Sequence, residues 1–290
     1  MVGSRFLELI STDLIPLTPE LNSLDITKKA SVDSFFELEK PDTVLHFAAF
    51  TDVGGAESQR RDRNGSCWKI NVEGSCNLAE ACKKHNSHLI HISTDYCFSG
   101  SNEDPGPYSE DHLIEKDEKK LTWYGFSKAE AERELTKILG NNFSILRLIY
   151  PVRGKFDAKL DYIRKPLSLF DQGKLYPLFG DQQVSITYID EACRAVSKII
   201  DGKLYGIFHA STSDTTTPYE LINYVIEKTR GVKNAAKKSS LDEFLKTVDN
   251  PVRYPKFGGL KVESTEKKLG IKFSSWREVI DKLKDDLSTS

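Results

Sequence analysis

Apolar segments of strand length alternate with amphipathic segments of helix length through the first half of this chain. The strand-like segments are residues 43–49, 89–93 and 143–147, and the helix-like segments between them are residues 68–84 and 124–139. Such alternation is typical of a parallel sheet that helices cover on both faces. We therefore predict an α/β fold with a Rossmann-type doubly wound parallel sheet and a smaller C-terminal lobe. A short strand could precede it at residues 14–17.

Two of these elements carry side chains suited to proton transfer. Thr94 ends the second apolar segment, and Tyr124 and Lys128 lie four residues apart on the predicted helix that follows. Residues four apart share a helix face, so the Lys128 ammonium can approach the phenol. A free phenol has a pKa of about 10, and a neighbouring positive charge lowers it. We predict that Tyr124 exchanges a proton with a carbinol oxygen, that Lys128 lowers the tyrosine pKa, and that Thr94 holds the reacting oxygen.

A Tyr-x-x-x-Lys spacing is a weak signal by itself, because both residue types are common. Tyr224 and Lys228 have the same spacing within an amphipathic helical segment, but no strand-ending hydroxyl precedes them at a comparable distance. We interpret Tyr224 as a structural residue and Tyr124 as a functional one.

Composition excludes several classes of function. Forty-one basic and 43 acidic residues leave a formal charge of -2, so neither a nucleic acid nor an anionic membrane is an expected partner. The apolar stretches are too short for a membrane span. Five cysteines form no Cys-x-x-Cys pair, which favours reduced thiols and a cytoplasmic protein. The six histidines lack metal-ligand spacing, so no metal is expected.

Further motifs occur in a fixed order along the chain. Ile92-Ser-Thr-Asp-Tyr-Cys-Phe-Ser-Gly100 is close to the pattern I-S-T-D-Y-V-F-x-G, and the segment 41–51 resembles P-D-x-V-x-x-x-A-A-x-T. Leu24-Asp25-Ile26 and Asn71-Val-Glu-Gly74 also resemble segments of the same family. With these motifs, the chain resembles the dTDP-4-dehydrorhamnose reductase branch of the extended short-chain dehydrogenase/reductase family.

The N-terminal residues resemble only the end of that family's Gly-rich turn. In the complete turn, backbone N–H groups at a helix N-terminus approach the cofactor pyrophosphate. Here the chain begins with Met1-Val2-Gly3-Ser4-Arg5, in which Gly3 corresponds to the last glycine of the turn, and Met1 is the single methionine of the chain. We expect that the first strand and most of the Gly-rich turn lie upstream of Met1, through an internal start or a shortened sequence.

The resemblance implies a reaction. NADPH or NADH would transfer a hydride to the C4 keto carbon of a nucleotide-linked deoxysugar. Tyr124 would give its proton to the developing alkoxide, Thr94 would hydrogen-bond the reacting oxygen, and Lys128 would also hold the nicotinamide ribose. The expected partner is a nucleotide-sugar substrate, and a homodimer is left open.

The resemblance also implies binding residues. Those expected to bind the cofactor, NADP or NAD, are Gly3, Asp25, Ile26, Ala48, Ala49, Thr51, Asn71, Tyr124 and Lys128. Those expected to bind the substrate are Thr94, Asp95, Tyr150 and Arg253. Residues 1–150 would form the dinucleotide-binding domain, incomplete at its N-terminus and rejoined by about residues 184–212, and residues 151–290 would form mainly the substrate-binding lobe.

Departures from the family pattern leave alternatives open. The family commonly has a Trp and then Tyr-Gly after the Arg of its fifth-strand motif, where this chain reads Arg147-Leu-Ile-Tyr150-Pro-Val-Arg153-Gly154, which puts the sugar contacts in doubt. A 4,6-dehydratase is disfavoured, because Tyr96 replaces the Glu that follows Thr-Asp in those enzymes. An NAD(P)-dependent sugar-nucleotide epimerase stays open because epimerases share the Thr, Tyr and Lys trio. A non-catalytic regulatory subunit, similar to the β subunit of methionine adenosyltransferase, also stays open.

Overall fold

The computed structural model describes residues 1–11, 13–156, 158, 160–250 and 254–288. Its strands are, in chain order, β1 Thr43–His46, β2 His88–Thr94, β3 Ser144–Leu148, β4 Pro151–Val152, β5 Leu178–Phe179, β6 Thr187–Tyr188, β7 Gly206–Ala210 and β8 Lys238–Ser239. Its α-helices are α1 Val2–Leu9, α2 Lys29–Glu39, α3 Val53–Glu57, α4 Ser66–Trp68, α5 Gly74–His85, α6 Trp123–Leu139, α7 Arg164–Asp171, α8 Ile189–Gly202, α9 Pro218–Arg230, α10 Leu241–Leu245, α11 Glu263–Leu269 and α12 Trp276–Ser288. A π-helical turn, Lys69–Glu73, joins α4 to α5.

Strands β1, β2, β3 and β7 form one parallel sheet in the order β1-β2-β3-β7. Its register places His46 opposite His91, and Ser93 opposite Arg147, which in turn lies opposite His209. Strands β2 and β3 are buried along nearly their whole length, as expected where both faces of a sheet are covered. The predicted α/β fold with a doubly wound parallel sheet is confirmed.

Helices cover both faces of this sheet because successive strand residues point to opposite sides. On one face, Leu89 of β2 packs with Phe36 of α2 and Leu135 of α6, and α5 completes this core. On the other face, Ile90 packs with Val196 of α8, together with α1 and α11. The carboxyl ends of the parallel strands therefore meet at one edge, where α/β folds of this kind bind their ligands.

A second apolar core contains no residue of the four-stranded sheet. Helices α7, α9 and α12 form it together with Val152 and Leu178. The short parallel pairs β4–β6 and β5–β8 lie in this part of the chain. Helix α8 and strand β7 then return the chain to the sheet, where β7 pairs with β3.

Two expectations about local structure have different outcomes. The short strand expected at residues 14–17 is wrong: these residues form no strand, and Ile15 is 89% exposed, so nothing covers an apolar side chain there. The five cysteines are unpaired thiols, as expected. Within the described ranges, the structure contains no helix with the length and apolar character that crossing a membrane requires.

Candidate active site

Helix α6 begins close to the end of β2. Thr122 caps the helix by accepting a hydrogen bond from the backbone N–H of Gly125 at 3.0 Å, which places Tyr124 in the first turn. A Cβ atom on Gly125 would lie 2.2 Å from the carbonyl oxygen of Tyr96. The helix can approach the turn after β2 only because residue 125 has no side chain. This glycine is a requirement of the site that the sequence motif alone did not reveal.

The Tyr124 phenol lies near the strand-end hydroxyl of Thr94, and its ring lies edge-on to Tyr96 with centroids 5.8 Å apart. Burial raises the pKa of Tyr124 above its ordinary value, and the nearby Thr94 hydroxyl offsets this only in part. That Lys128 lowers the tyrosine pKa stays a prediction, since burial is the largest influence on this phenol. A raised pKa keeps the phenol protonated, which is the form that donates a proton to a developing alkoxide.

Lys128 lies one turn after Tyr124 on α6, and its side chain is buried, with 2% of the residue exposed. Its ammonium donates to the carbonyl oxygen of Ile92 at 2.8 Å, and its Nζ lies 3.0 Å from Nε2 of His91. Burial lowers the pKa of Lys128 to about 8. Among the described residues these two atoms are the hydrogen-bond acceptors of the ammonium, so one of its three N–H groups is available to a ligand.

Asp95 follows Thr94 and is also buried. It accepts a hydrogen bond from the Thr94 hydroxyl at 3.2 Å, but burial raises the pKa of its carboxyl to about 7. The phenols of Tyr150 and Tyr162 lie near enough to feel its charge, and their rings stack with centroids 4.0 Å apart. Tyr150 also has a φ of 39°, in a region that side chains rarely adopt, so its backbone is held by its surroundings.

A cavity of about 1040 Å³ opens beside these residues. Aromatic rings supply much of its wall, including Tyr96, Tyr150, Tyr162 and Tyr176, and Lys165 supplies a positive charge. A cavity of this volume accommodates a ligand of nucleotide-sugar size, and aromatic faces suit a base or a sugar ring. Arg253 lies outside the described residues, although its neighbour Tyr254 lines the cavity.

Asn71 shapes the loop that follows β1. Its side-chain oxygen accepts from the backbone N–H of Phe50 at 2.8 Å, and its amide donates to the Phe50 carbonyl at 3.1 Å and to Ser127 at 2.9 Å. Ser127 in turn donates to the carbonyl oxygen of Tyr124 at 2.7 Å. The side chain of Asn71 is thus fully engaged within the protein, so we expect it to position the loop and α6 without contacting the cofactor directly.

The other predicted cofactor residues lie around this loop. Gly3 lies against Phe47, since a Cβ atom at residue 3 would come within 3.2 Å of the ring. Ala48 and Thr51 are exposed, and Ala49 is half-buried, so a ligand can reach the loop between them. These small side chains and the available N–H of Lys128 fit a nicotinamide nucleotide.

Asp25 and Ile26 lie in a turn beside α5. The Asp25 carboxylate accepts from the backbone N–H and the hydroxyl of Thr27 and pairs with Lys28, so it holds the turn together. Ile26 packs against Gly74, where an added Cβ atom would lie 2.8 Å from the Ile26 side chain. The turn therefore depends on the glycine of the Asn71–Gly74 motif.

A buried ion pair, which the sequence analysis did not predict, joins α6 to strand β3. Arg147 of β3 donates to both carboxylate oxygens of Glu132, at 3.0 and 2.6 Å, and lies 3.3 Å from Nε2 of His209. Burial would raise the pKa of Glu132, but the charge and hydrogen bonds of Arg147, with smaller contributions from Ser93 and Lys128, together hold that pKa below its ordinary value. Arg147 and His209 are polar residues within otherwise apolar strands, but only the sheet register and the packing of α6 on the sheet bring them together with Glu132.

The chain can now be compared with known proteins. A sequence model of the RmlD substrate binding domain matches residues 1–289. The chain belongs to this family. It is 28% identical over 276 residues to a protein named dTDP-4-dehydrorhamnose reductase from Aggregatibacter actinomycetemcomitans, covering 92% of this chain and 89% of that protein. It is also 28% identical over 276 residues to the spore coat polysaccharide biosynthesis protein SpsK of Bacillus subtilis, covering 95% and 89% of the two chains.

Solved structures share the fold of this RmlD-family chain. A dTDP-4-dehydrorhamnose reductase from Yersinia enterocolitica superposes with a TM-score of 0.82 and 22% identity, covering 99% of this chain and 96% of that one. The enzyme of the same name from Bacillus anthracis, in complex with NADP, gives a TM-score of 0.80 and 24% identity, covering 97% and 94%. The doubly wound architecture is therefore shared with these solved structures.

Proposed function

We propose that this chain is an NAD(P)H-dependent reductase that acts on the 4-keto group of a nucleotide-linked deoxysugar. The observation that carries the proposal is that Tyr124 lies near Thr94 at the carboxyl end of β2, with Lys128 of the same helix bound to that strand and a large aromatic cavity beside it. The match of the RmlD family model to residues 1–289 and the names of the relatives support the substrate class.

In this reaction the bound nicotinamide supplies the hydride. The neutral phenol of Tyr124 donates its proton to the oxygen that becomes the alkoxide, and Thr94 holds that oxygen by a hydrogen bond. Lys128 binds the cofactor ribose through its remaining N–H and places a positive charge near the developing negative one. These three roles are proposals that rest on the geometry of the site.

Substrate binding is assigned to the wall of the cavity. Tyr150 lines the cavity, and Asp95 is hydrogen-bonded to Thr94 and lies close to Tyr150, so both would contact the sugar. Arg253 is a proposed ligand of the pyrophosphate, because a guanidinium can bind two phosphate oxygens at once. We propose residues 1–150, with 184–212, as the dinucleotide-binding part and the remainder of 151–290 as the substrate-binding lobe. The unpaired thiols support action in a reducing compartment such as the cytoplasm.

The experiment is a turnover assay with a built-in control. Purified protein is mixed with a dTDP-linked 4-keto-6-deoxyhexose and either NADPH or NADH, and loss of the reduced nicotinamide absorbance is followed. We expect Tyr124→Phe to lower kcat by about 100-fold or more while cofactor affinity stays unchanged. Tyr224→Phe is the matched control, because Tyr224 has the same spacing to a lysine but hydrogen-bonds Asp281 at the surface.

Each competing function predicts a different result. A regulatory subunit would bind reduced cofactor tightly and consume none with any keto sugar. An epimerase would convert a nucleotide sugar without net consumption of cofactor. Equal loss of turnover in the two tyrosine variants would show that Tyr124 is not the proton donor. Sedimentation of the same sample tests whether the protein is a homodimer.

A further inference from the structure

Two buried histidines lie beneath the ammonium of Lys128. His91 of β2 and His46 of β1 are partners in the sheet register, with exposures of 0% and 4%, and their ring centroids are 5.3 Å apart. Both point to the face of the sheet that α5 and α6 cover: His91 contacts Lys128 of α6, and Nε2 of His46 lies 3.0 Å from the hydroxyl of Ser75 on α5.

Both imidazoles are neutral in this position. Burial, together with the charge of Lys128, lowers the pKa of His46 to about 3 and holds that of His91 well below its ordinary value. The Ser75 hydroxyl donates to the carbonyl oxygen of Asn71 at 2.7 Å, so His46 must donate to Ser75 through an Nε2–H. His91 faces an ammonium, which only donates, so its Nε2 is the unprotonated nitrogen and its proton lies on Nδ1.

This tautomer gives His91 a geometric effect on Lys128. An ammonium that meets a single acceptor can rotate about its Cε–Nζ bond, and its other two N–H groups then have no fixed direction. Here one N–H is directed to the carbonyl oxygen of Ile92 and a second to Nε2 of His91. Two acceptors fix the rotation, so the direction of the third N–H is also fixed.

We propose that His91 is a positioning residue, whose neutral Nε2 acts with the Ile92 carbonyl to orient the Lys128 ammonium and keep its third N–H directed at the ribose of the nicotinamide cofactor. This inference rests on the proposed function for the identity of the ligand. The hydrogen bond itself belongs to the cofactor-free protein and can be tested without turnover.

Other groups also act on Lys128 and have to be separated from His91. Glu132 lies one turn further along α6, and its carboxylate favours the charged form of the lysine. Cys97 in the turn after β2 and Cys67 on α4 also lie nearby, but burial raises the pKa of both thiols, so they carry no charge at neutral pH. The histidines add no charge while they stay neutral. A change at His91 therefore alters a hydrogen bond without removing one of the charges around Lys128.

The first test uses the unmodified sequence. Long-range ¹H–¹⁵N correlation of the histidine rings in cofactor-free protein reports which nitrogen carries the proton. We expect the Nδ1–H tautomer for His91, with Nε2 as the acceptor, and the Nε2–H tautomer for His46. An Nε2–H tautomer at His91 would overturn the proposal, because that nitrogen could then not accept from Lys128.

The second test compares variants of closely similar size. His91→Gln keeps an acceptor at the end of the side chain, and His91→Leu removes it. His88→Leu is the matched control: His88 lies on the same strand, is also buried, and bonds Ser144 at 2.8 Å. The pKa of Lys128 is read from ¹³Cε-labelled lysine in cofactor-free protein, with Lys128→Met identifying the signal, and the Kd for NADPH is measured by fluorescence.

We expect His91→Leu to lower the pKa of Lys128 by roughly one to two units, the effect of one lost hydrogen bond to a charged group, and to weaken NADPH binding about tenfold. His91→Gln and His88→Leu should stay near the original values. A role in packing alone predicts the reverse order, with leucine tolerated and glutamine disruptive, and that result would overturn the proposal. If the pKa shift occurs but no keto sugar is reduced, the proposed function fails while the contact between His91 and Lys128 stands.

Discussion

Removing the carboxylate of Glu132 is expected to cost more stability than any surface change on the same helix. Glu132 and Arg147 form a two-pronged ion pair whose side chains are 3% and 2% exposed. The pair joins α6, which carries Tyr124 and Lys128, to the central strand β3. Glu132→Ala leaves the guanidinium buried with the neutral His209 as its remaining side-chain hydrogen-bond partner among the described residues.

The magnitude follows from the burial of both charges. At an effective dielectric of about 20, unit charges 2.6 Å apart attract each other by roughly 6 kcal/mol. Local relaxation and entry of water recover part of this, so we expect Glu132→Ala to lower the free energy of unfolding by about 3–5 kcal/mol. That is a large share of the roughly 5–15 kcal/mol available to a folded protein. The paired replacement Glu132→Met with Arg147→Met should cost far less, because no unpaired charge remains.

Urea unfolding followed by tryptophan fluorescence measures these differences. Glu134→Ala, which removes a mostly exposed pair with Lys137 on the same helix, should change the free energy of unfolding by less than about 1 kcal/mol. The reasoning fails if Glu132→Ala is as mild as Glu134→Ala, or if the double replacement is as damaging as the single one.

Three further outcomes are expected. Lys128 loses its proton near pH 8 in the cofactor-free protein, so the NADPH affinity should fall as the pH rises through about 8; a flat fluorescence titration across that range contradicts this. Burial raises the pKa of Asp95 to about 7 from 3.8, so its charge weakens the folded state increasingly as the pH rises between those values. Asp95→Asn should therefore raise Tm at about pH 8 and change it little at about pH 4, whereas equal shifts would refute the assignment. Asn71→Ala should lower the free energy of unfolding in urea by about 2–3 kcal/mol, because three hydrogen bonds are lost. Asn77→Ala, which loses one hydrogen bond to the Ile26 carbonyl oxygen, should lower it by about 1 kcal/mol. Similar losses in the two variants would argue against the role of Asn71 in holding the loop.

The sequence predicted the sheet because its signal is local. Strands of five to seven apolar residues and helices with one apolar face can be recognised within a short window. Thr94 and Tyr124 were placed together for the same reason, since one ends a strand and the other begins the next long helix. The strand predicted at residues 14–17 does not form, because a strand also needs neighbouring elements that bury it. Four residues of sequence carry no information about those neighbours.

The effect of burial on the tyrosine pKa could not be predicted from the sequence, for a different reason. The spacing of Tyr124 and Lys128 indicates a shared helix face, but it does not say which acceptors the ammonium finds. In the folded chain Lys128 turns toward Ile92 and His91, and burial becomes the largest influence on the phenol. Burial depends on every segment packed around a group, so no local pattern could supply it.

The sequence by itself determined the fold class, the family and the residues that meet at the end of β2. Only the tertiary structure decided which buried polar groups contact these elements: His46 beside His91, which contacts Lys128, and Arg147 of β3, which pairs with Glu132 of α6. The physical reason is that side-chain periodicity within one element is set by covalent geometry, whereas contacts across strands depend on register. Register is fixed by the packing of the whole sheet.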